Sequence, residues 1–430
     1  MKQLLQNMRD GKALVAEVPA PAVRRGTALV ATAASLVSAG TERMVVEFAE
    51  KSLVGKARSR PDLLRQVLDK ARREGLLPTL QAAFNRLDQP MALGYSSAGT
   101  ILAVGEGLQG FQVGDRVACA GGGYAVHAEY AVVPQNLLAK LPDNVDFESA
   151  AFTTLGAIAL HGFRLAHPQV DERVAVIGLG LLGLLAAGIA RAAGCAVFGV
   201  DLSPQRVELA RRMGVEAVLR ADAENAATAY TSARGFDVVL ICADARSNDP
   251  IELAGLLARD RGQVVAIGAV GLNIPRTLYY NKEINFQVSR SYGPGRYDPD
   301  YEERGQDYPA GYVRWTEGRN LEAIVDLLAM GRLDVTPLIS HRFPIQQAAE
   351  AYQLITGKLN QPFLGVLLTY PQDNAAVPAR RVDLAARAPA VALTGEPVLG
   401  VLGAGNYASA VFLPAEPKFL MSVTIVCQSE

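Results

Sequence analysis

Residues 172–270 alternate short apolar strands with helices, and the first strand, VAVI, runs straight into the turn Gly178-Leu179-Gly180-Leu181-Leu182-Gly183. Three glycines at this spacing, between a strand and a helix, leave the chain few ways to fold. One glycine makes the tight turn, one lets the backbone come close to a pyrophosphate, and one lets helix and strand pack tightly. The order that follows is AVFGVD, a helix over 204–213, AVLRA, FDVVLICA, a helix over 250–259 and GQVVAIGA. It predicts an α/β fold with a doubly wound parallel sheet of the Rossmann kind. Asp201 ends the second strand 23 residues after Gly178, where a carboxylate accepts hydrogen bonds from an adenine-ribose diol. Turn and acid together point to a nicotinamide dinucleotide, with Gly178, Gly180, Leu181, Leu182, Gly183, Asp201, Arg206 and Gly268 as its binding set. Asp201 repels a 2′-phosphate, and Arg206 offsets this only weakly, so NAD is favoured over NADP.

The flanks read differently. Residues 13–40 form short alternating apolar strands broken by Pro19, Pro21 and Gly26, and the pattern resumes from Gly94 through GYSSAGTILAVGEGLQGFQVGDRVACAGGGYAVHAEYAVVP. Glycine punctuation this dense predicts a small β-barrel. Between the two, 44–90 has Leu64, Val67, Leu68 and Ala71 at helical spacing after Pro61, and reads as a helical insertion. Its seven basic residues from Lys56 to Arg73 are interleaved with Asp62, Asp69 and Glu74, as on a solvated helix face. Residues 371–397 read as a linker, and VLGVLGAGNYASAVFLPA over 398–430 repeats the strand, glycine turn and helix with room for about one βαβ unit.

Composition narrows the function. With 42 basic and 43 acidic side chains in 430 residues, no global field exists to hold a polyanion, so no nucleic-acid partner is expected. The longest uncharged stretch, 174–190, is 17 residues interrupted by four glycines, which argues against a membrane span. Four scattered cysteines, Cys119, Cys195, Cys242 and Cys427, form no CxxC pair and suit a reducing cytoplasm. A small-molecule substrate is the expected partner, and a homo-oligomer stays open.

GYSSAGTILAVGEG, GDRVACAGGG, HAEYAVVP and GLGLLG, in this order, resemble the medium-chain dehydrogenase/reductase superfamily over about residues 10–370. The insertion, the run SYGPGRYDPDYEERGQDYPAGYVRWTEGRN and the turn GAGNYA are similar to bacterial bi-domain oxidoreductases, which join such a dehydrogenase to a glucose-fructose oxidoreductase/inositol dehydrogenase-like half. The resemblance implies a GroES-like catalytic domain over 1–160 and 295–370, a Rossmann domain over 161–294, and the start of a second Rossmann unit at 398–430. It also implies where a zinc enzyme would keep its ligands: here Ala39, Tyr95, Ser96 and Thr154. Such side chains cannot replace thiolate, imidazole and carboxylate, so no zinc is expected.

Without a Lewis acid, hydride transfer still needs a proton donor. Thr41, Glu42 and Tyr95 are the catalytic candidates. Their structural alternatives are a turn cap, a surface charge and a filler of the metal's volume. Of four histidines, His127 is read in a strand, His167 before a proline and His341 beside Arg342, while His161 lies nearest the cofactor domain. Tyr292, Arg296 and Asp298 follow the last sheet strand and are the substrate candidates, against the alternative of a rigid Gly-Pro loop. The expected activity is zinc-independent, NAD(H)-linked oxidoreduction of an alcohol or ketone on a polar, sugar-like substrate. A dinucleotide-binding scaffold, or an incomplete piece of a bi-domain enzyme, stays open.

Overall fold

The computed structural model of the chain describes residues 1–7, 11–50, 90–372, 401–402 and 425–426. The barrel begins with β1 (Lys2–Gln6), β2 (Ala13–Glu17) and β3 (Thr27–Val37), followed by helix α1 (Ala39–Glu50). It continues with β4 (Met91–Ala92), β5 (Ser96–Val104), β6 (Arg116–Ala120), β7 (Tyr130–Pro134) and β8 (Leu138–Lys140). Helix α2 (Thr153–Leu165) then leads into the second domain.

Strand β3 organises the barrel. Its first half pairs with β7, its second half with the C-terminal strand Gly365–Thr369, and β5 lies along its other edge throughout. A register shift between Thr32 and Ala34 accompanies the exchange of partners, and such irregularities bend a strand. Flanked on both edges and covered on both faces, β3 is buried at all but one of its 11 positions. The expected alternation over 13–40 is therefore absent in β3, because alternation requires one wet face.

The dinucleotide-type domain holds β9 (Arg173–Ile177), helix α3 (Leu181–Ala192), β10 (Ala196–Asp201), helix α4 (Pro204–Arg212) and β11 (Glu216–Leu219). On the other side follow β12 (Phe236–Ile241), β13 (Ala258–Ala266) and β14 (Asn285–Val288). The sheet order is β11-β10-β9-β12-β13-β14, all parallel. The chain reverses its direction of travel between β9 and β12, where such sheets open a ligand crevice. Helix α5 (Glu317–Ala329) follows, then β15 (Ile339–Pro344), helix α6 (Ala348–Ile355) and β16 (Gly365–Thr369), and the last two strands return the chain to the barrel. One apolar core runs without a break from Ile101 and Val117 in the barrel, through Leu155 and Leu160 on α2, to Leu184 and Val174. Each of these side chains contributes about 1.5–3 kcal/mol on burial.

The structure corrects several boundaries. The division at 160/161 falls inside α2, which is continuous because its apolar face is covered by both domains. A helix, Ala223–Tyr230, lies between β11 and β12, where the sequence reading placed none. Helix α1 starts at Ala39 rather than Met44, and the rest of the insertion, 51–89, lies outside the described residues, as does the linker beyond 372. Of 398–430, Val401–Leu402 pair in parallel with Ile425–Val426, the sense a βαβ unit requires.

Gly99 shows how close β5 lies to β3: a Cβ there would fall 2.0 Å from the Ala31 carbonyl oxygen. Gly99→Ala should therefore lower unfolding stability by about 3 kcal/mol or more, read as a fall in the denaturant midpoint.

Candidate active site

The glycine turn has the shape of a pyrophosphate cradle. Gly178 has φ +93°, and a Cβ on it would lie 2.7 Å from Ala243 Cα at the end of β12. A Cβ on Gly183 would lie 1.8 Å from Gly178 O, so α3 sits as close to the turn as a helix can. At Gly180 the same construction meets only Arg206 Nη1, at 3.9 Å. That face is open, and the first amides of α3 point toward it without intrahelical partners. Gly268 closes the other wall against Ala243 O. Asp201 is stapled to the turn: Leu179 N donates to its Oδ2 at 2.6 Å and Ser203 N to its Oδ1 at 2.8 Å. Arg206 Nη1 stands 3.7 Å from Oδ2. Past β14, the buried Ser289 hydroxyl has no hydrogen-bond partner. An open face at Gly180, a carboxylate beside it and a spare hydroxyl suit a dinucleotide.

The catalytic candidates come together on the barrel side. The Tyr95 hydroxyl donates to Ser38 Oγ at 2.6 Å and is also hydrogen-bonded to the Thr41 side chain. Burial pushes the Tyr95 phenol up to about 12; the bonds to Ser38 and Thr41 pull it down and the Glu42 charge adds to the rise. Thr41 is exposed. Glu42 is 3% exposed, so the surface-charge alternative is excluded; its Oε1 accepts from Ser38 N at 2.9 Å. His127 is not in a strand but in the bend before β7, with its ring Nε2 3.2 Å from Glu42 Oε2.

At the remaining zinc-ligand positions the polar atoms are already engaged. Ser96 Oγ donates to Ala151 O at 2.6 Å and Thr154 Oγ1 to Cys119 O at 3.3 Å. Burial pushes the Cys119 thiol up to about 12. Among the described residues no three His, Cys, Asp or Glu side chains stand together as a metal site. This donor set does not fit zinc.

The tyrosine-rich segment packs onto α2 and α5. Arg296 is ion-paired with buried Glu302 and faces the Tyr292 ring, 5.6 Å from its centroid. Asp298 caps the short helix at Pro299–Glu302 and accepts from the Tyr308 hydroxyl. Tyr292 is buried with its hydroxyl unpartnered, while Asn320 Nδ2 donates to its carbonyl at 2.8 Å. Of the substrate candidates, Arg296 and Asp298 thus find partners within the segment and Tyr292 keeps a free hydroxyl. His161 lies beside Gly293, and burial lowers its affinity for a proton.

Sequence reading missed Ser38, His127 and Glu317. The first two were visible only as a serine near Thr41 and a histidine in an apolar run. Glu317 opens α5, where an acid favours the helix dipole, yet it is wholly buried with both oxygens unpartnered. Desolvation prevails and raises its carboxyl to about 9.

Two family profiles match the chain: "Alcohol dehydrogenase GroES-like domain" over residues 70–143 and "Zinc-binding dehydrogenase" over 182–304. It is 26% identical over 305 residues to the D-xylulose reductase of Saccharomyces cerevisiae, covering 62% of this chain and 78% of that one. To the sorbitol dehydrogenase of Bacillus subtilis it is 26% identical over 301 residues, again 62% and 78%. The fold is similar to that of galactitol-1-phosphate dehydrogenase from Escherichia coli, with TM-score 0.65 and 22% identity over 86% of this chain and 100% of that one. A dehydrogenase from Sinorhizobium meliloti described as putatively zinc-binding, solved with NADP, superposes with TM-score 0.60 at 19% identity over 86% and 99%. In sequence and in fold the chain is similar to enzymes of the medium-chain dehydrogenase/reductase superfamily. It is an enzyme of the alcohol dehydrogenase kind.

The buried acid generates a stability prediction. Glu317 holds its proton in the folded state up to about pH 9 and loses it near pH 4.5 when unfolded, so the unfolded state binds fewer protons in that window. Stability then falls as pH rises between those values. Glu317→Gln should abolish that slope and raise stability at pH 8 by about 1 kcal/mol or more, read by thermal melts at several pH values.

Proposed function

We propose that the chain is a zinc-independent, NAD(H)-linked oxidoreductase that moves hydride between the cofactor and an alcohol or ketone of a polar, sugar-like substrate. The observation that carries the reading is the Tyr95 hydroxyl, hydrogen-bonded to Ser38 and Thr41 where a zinc enzyme would hold its metal. The names of two relatives, a xylulose reductase and a sorbitol dehydrogenase, support a polyhydroxylated substrate. The donor chemistry of Ala39, Tyr95, Ser96 and Thr154 supports operation without zinc.

Bound NADH supplies the hydride. In the reducing direction Tyr95 gives its proton to the carbonyl oxygen as the hydride reaches the carbon, and Ser38 and Thr41 hold the phenol oriented throughout. Both are hydroxyls, able to accept from the phenol or donate to the phenolate that forms. Asp201 binds the adenine ribose and disfavours a 2′-phosphate, with Gly178, Gly180, Gly183, Leu181, Leu182 and Gly268 shaping the cradle. Of the substrate candidates, Tyr292 with its free hydroxyl is the one left to meet a polar substrate, while Arg296 and Asp298 hold the segment that carries it. The buried cysteines suit a cytoplasmic setting.

Tyr95→Phe should lower kcat about 100-fold or more on ketoses or polyols assayed after chelator treatment, with NADH affinity unchanged. Full activity in that variant, or one zinc per chain by elemental analysis, overturns the reading. Gly180→Ala should leave the melting temperature in place and weaken NADH about tenfold, because its methyl enters only the open face; Asp201→Ala should narrow the preference for NADH over NADPH. Fluorescence titration reads both. The resemblance of 398–430 to a second dinucleotide unit is tested by calorimetry, in which one cofactor per chain, at Gly178–Gly183, is expected.

A further inference from the structure

Beneath Tyr95 lies a chain of buried polar side chains that the proposed reaction does not use. His127 is fully buried. Its Nδ1 lies 2.7 Å from Ser35 Oγ, and Ser35 Oγ lies 2.8 Å from the Tyr370 hydroxyl. Its Nε2 faces Glu42 Oε2, which also accepts from the Tyr352 hydroxyl. The histidine cannot shift. His127 N donates to Leu93 O at 2.8 Å and its carbonyl accepts from Leu4 N at 2.9 Å. Its ring lies on Gly94, where φ is +95° and a Cβ would come within 2.8 Å of two ring atoms.

Only one assignment of protons satisfies the whole chain. Tyr370 donates to Ser35, Ser35 to Nδ1, and the imidazole, neutral with its proton on Nε2, donates to Glu42. Glu42 then accepts from Ser38 N, Tyr352 and His127, as an ionised carboxylate can. In the reverse order Glu42 is protonated and donates to Nε2, Nδ1–H donates to Ser35, and Ser35 donates to Tyr370. The buried Tyr370 proton is left with no acceptor among the described residues, which costs about 1–3 kcal/mol.

We propose that His127 is a positioning residue: by donating from Nε2 it holds Glu42 locked on the Ser38 amide, and so fixes the Ser38 hydroxyl that takes the hydrogen bond of the Tyr95 phenol. The inference rests on the reading of Tyr95 as the acid. Two features of the geometry support it. Glu42 reaches Tyr95 through the residue that accepts its hydroxyl, since Ser38 takes the phenol proton on Oγ and gives its amide proton to Glu42. The groups facing this interior from the packed elements are Ser35 on β3, Thr41 and Glu42 on α1, Tyr95 beside β5, Tyr352 on α6 and Tyr370 after β16. Glu129, which acts on Tyr370 from the bend before β7, is bonded to the Lys2 amide and paired with its ammonium. Burial is the first cause of the raised affinity of Tyr95 for a proton, and the Glu42 charge adds to it.

Two spectroscopic readouts test this without substrate or turnover. In protein carrying 15N-labelled histidine at pH 7.5, long-range 1H–15N correlation should find His127 as the Nε2–H tautomer; an Nδ1–H tautomer overturns the proposal, and this needs no variant to fold. In protein carrying 13Cζ-tyrosine, with Tyr95 assigned by Tyr95→Phe, the Tyr95 13Cζ resonance at pH 7.5 should move in Glu42→Gln and His127→Phe, as the phenol loses its fixed hydrogen bond to Ser38. In His127→Gln, whose amide restores a donor to Glu42, it should return toward the wild-type value. An unmoved Tyr95 resonance in folded His127→Phe overturns the proposal. If Tyr95→Phe keeps full turnover while these signatures hold, it is the reaction that fails and not the network.

Discussion

Helix α2 can lie between the two domains only because Gly156 and Gly162 carry no side chains. A Cβ on the first would come within 2.9 Å of Ile324 on α5, and one on the second within 2.4 Å of Ile267 after β13. With those two contacts made by bare backbone, the helix closes the core against both the barrel and the parallel sheet. Thr154, near its start, is thereby bonded to Cys119 on β6. Arg164, near its end, holds Asn320 and stacks on Trp315 in the tyrosine-rich segment. The glycine turn, the barrel pocket and that segment take their places relative to one another from this helix.

The two interior acids show the same desolvation producing opposite outcomes. Glu42 has three partners, a backbone amide, an imidazole and a phenol, which replace the water that burial removes. Glu317 has none, and it keeps its proton. A buried acid with its bonds made can hold its neighbours in place, as Glu42 does the Ser38 amide. A buried acid without them costs stability, and proteins retain such groups at sites that do something else.

Compared with that superfamily, the departure of this chain is local. The barrel, the six-stranded sheet and the glycine cradle follow the common plan. The metal-ligand positions do not: Ser96 and Thr154 bond to backbone carbonyls and Tyr95 to the Ser38 hydroxyl. A phenol and two hydroxyls stand together there, groups that accept and donate hydrogen bonds.

The doubly wound sheet, the cradle glycines, Asp201 and the beaded β-region were legible in the sequence because each is written in local spacing. A turn needs its glycines, a strand its run and a helix its period within a few residues. Only the tertiary structure could decide the burial of Glu42, the role of His127 and the neutrality of Glu317. The Glu42 carboxylate is completed by Tyr352, 310 residues away, and by His127, 85 away. A side chain's charge state depends on the donors and the solvent that folding brings or removes, and a linear pattern holds neither.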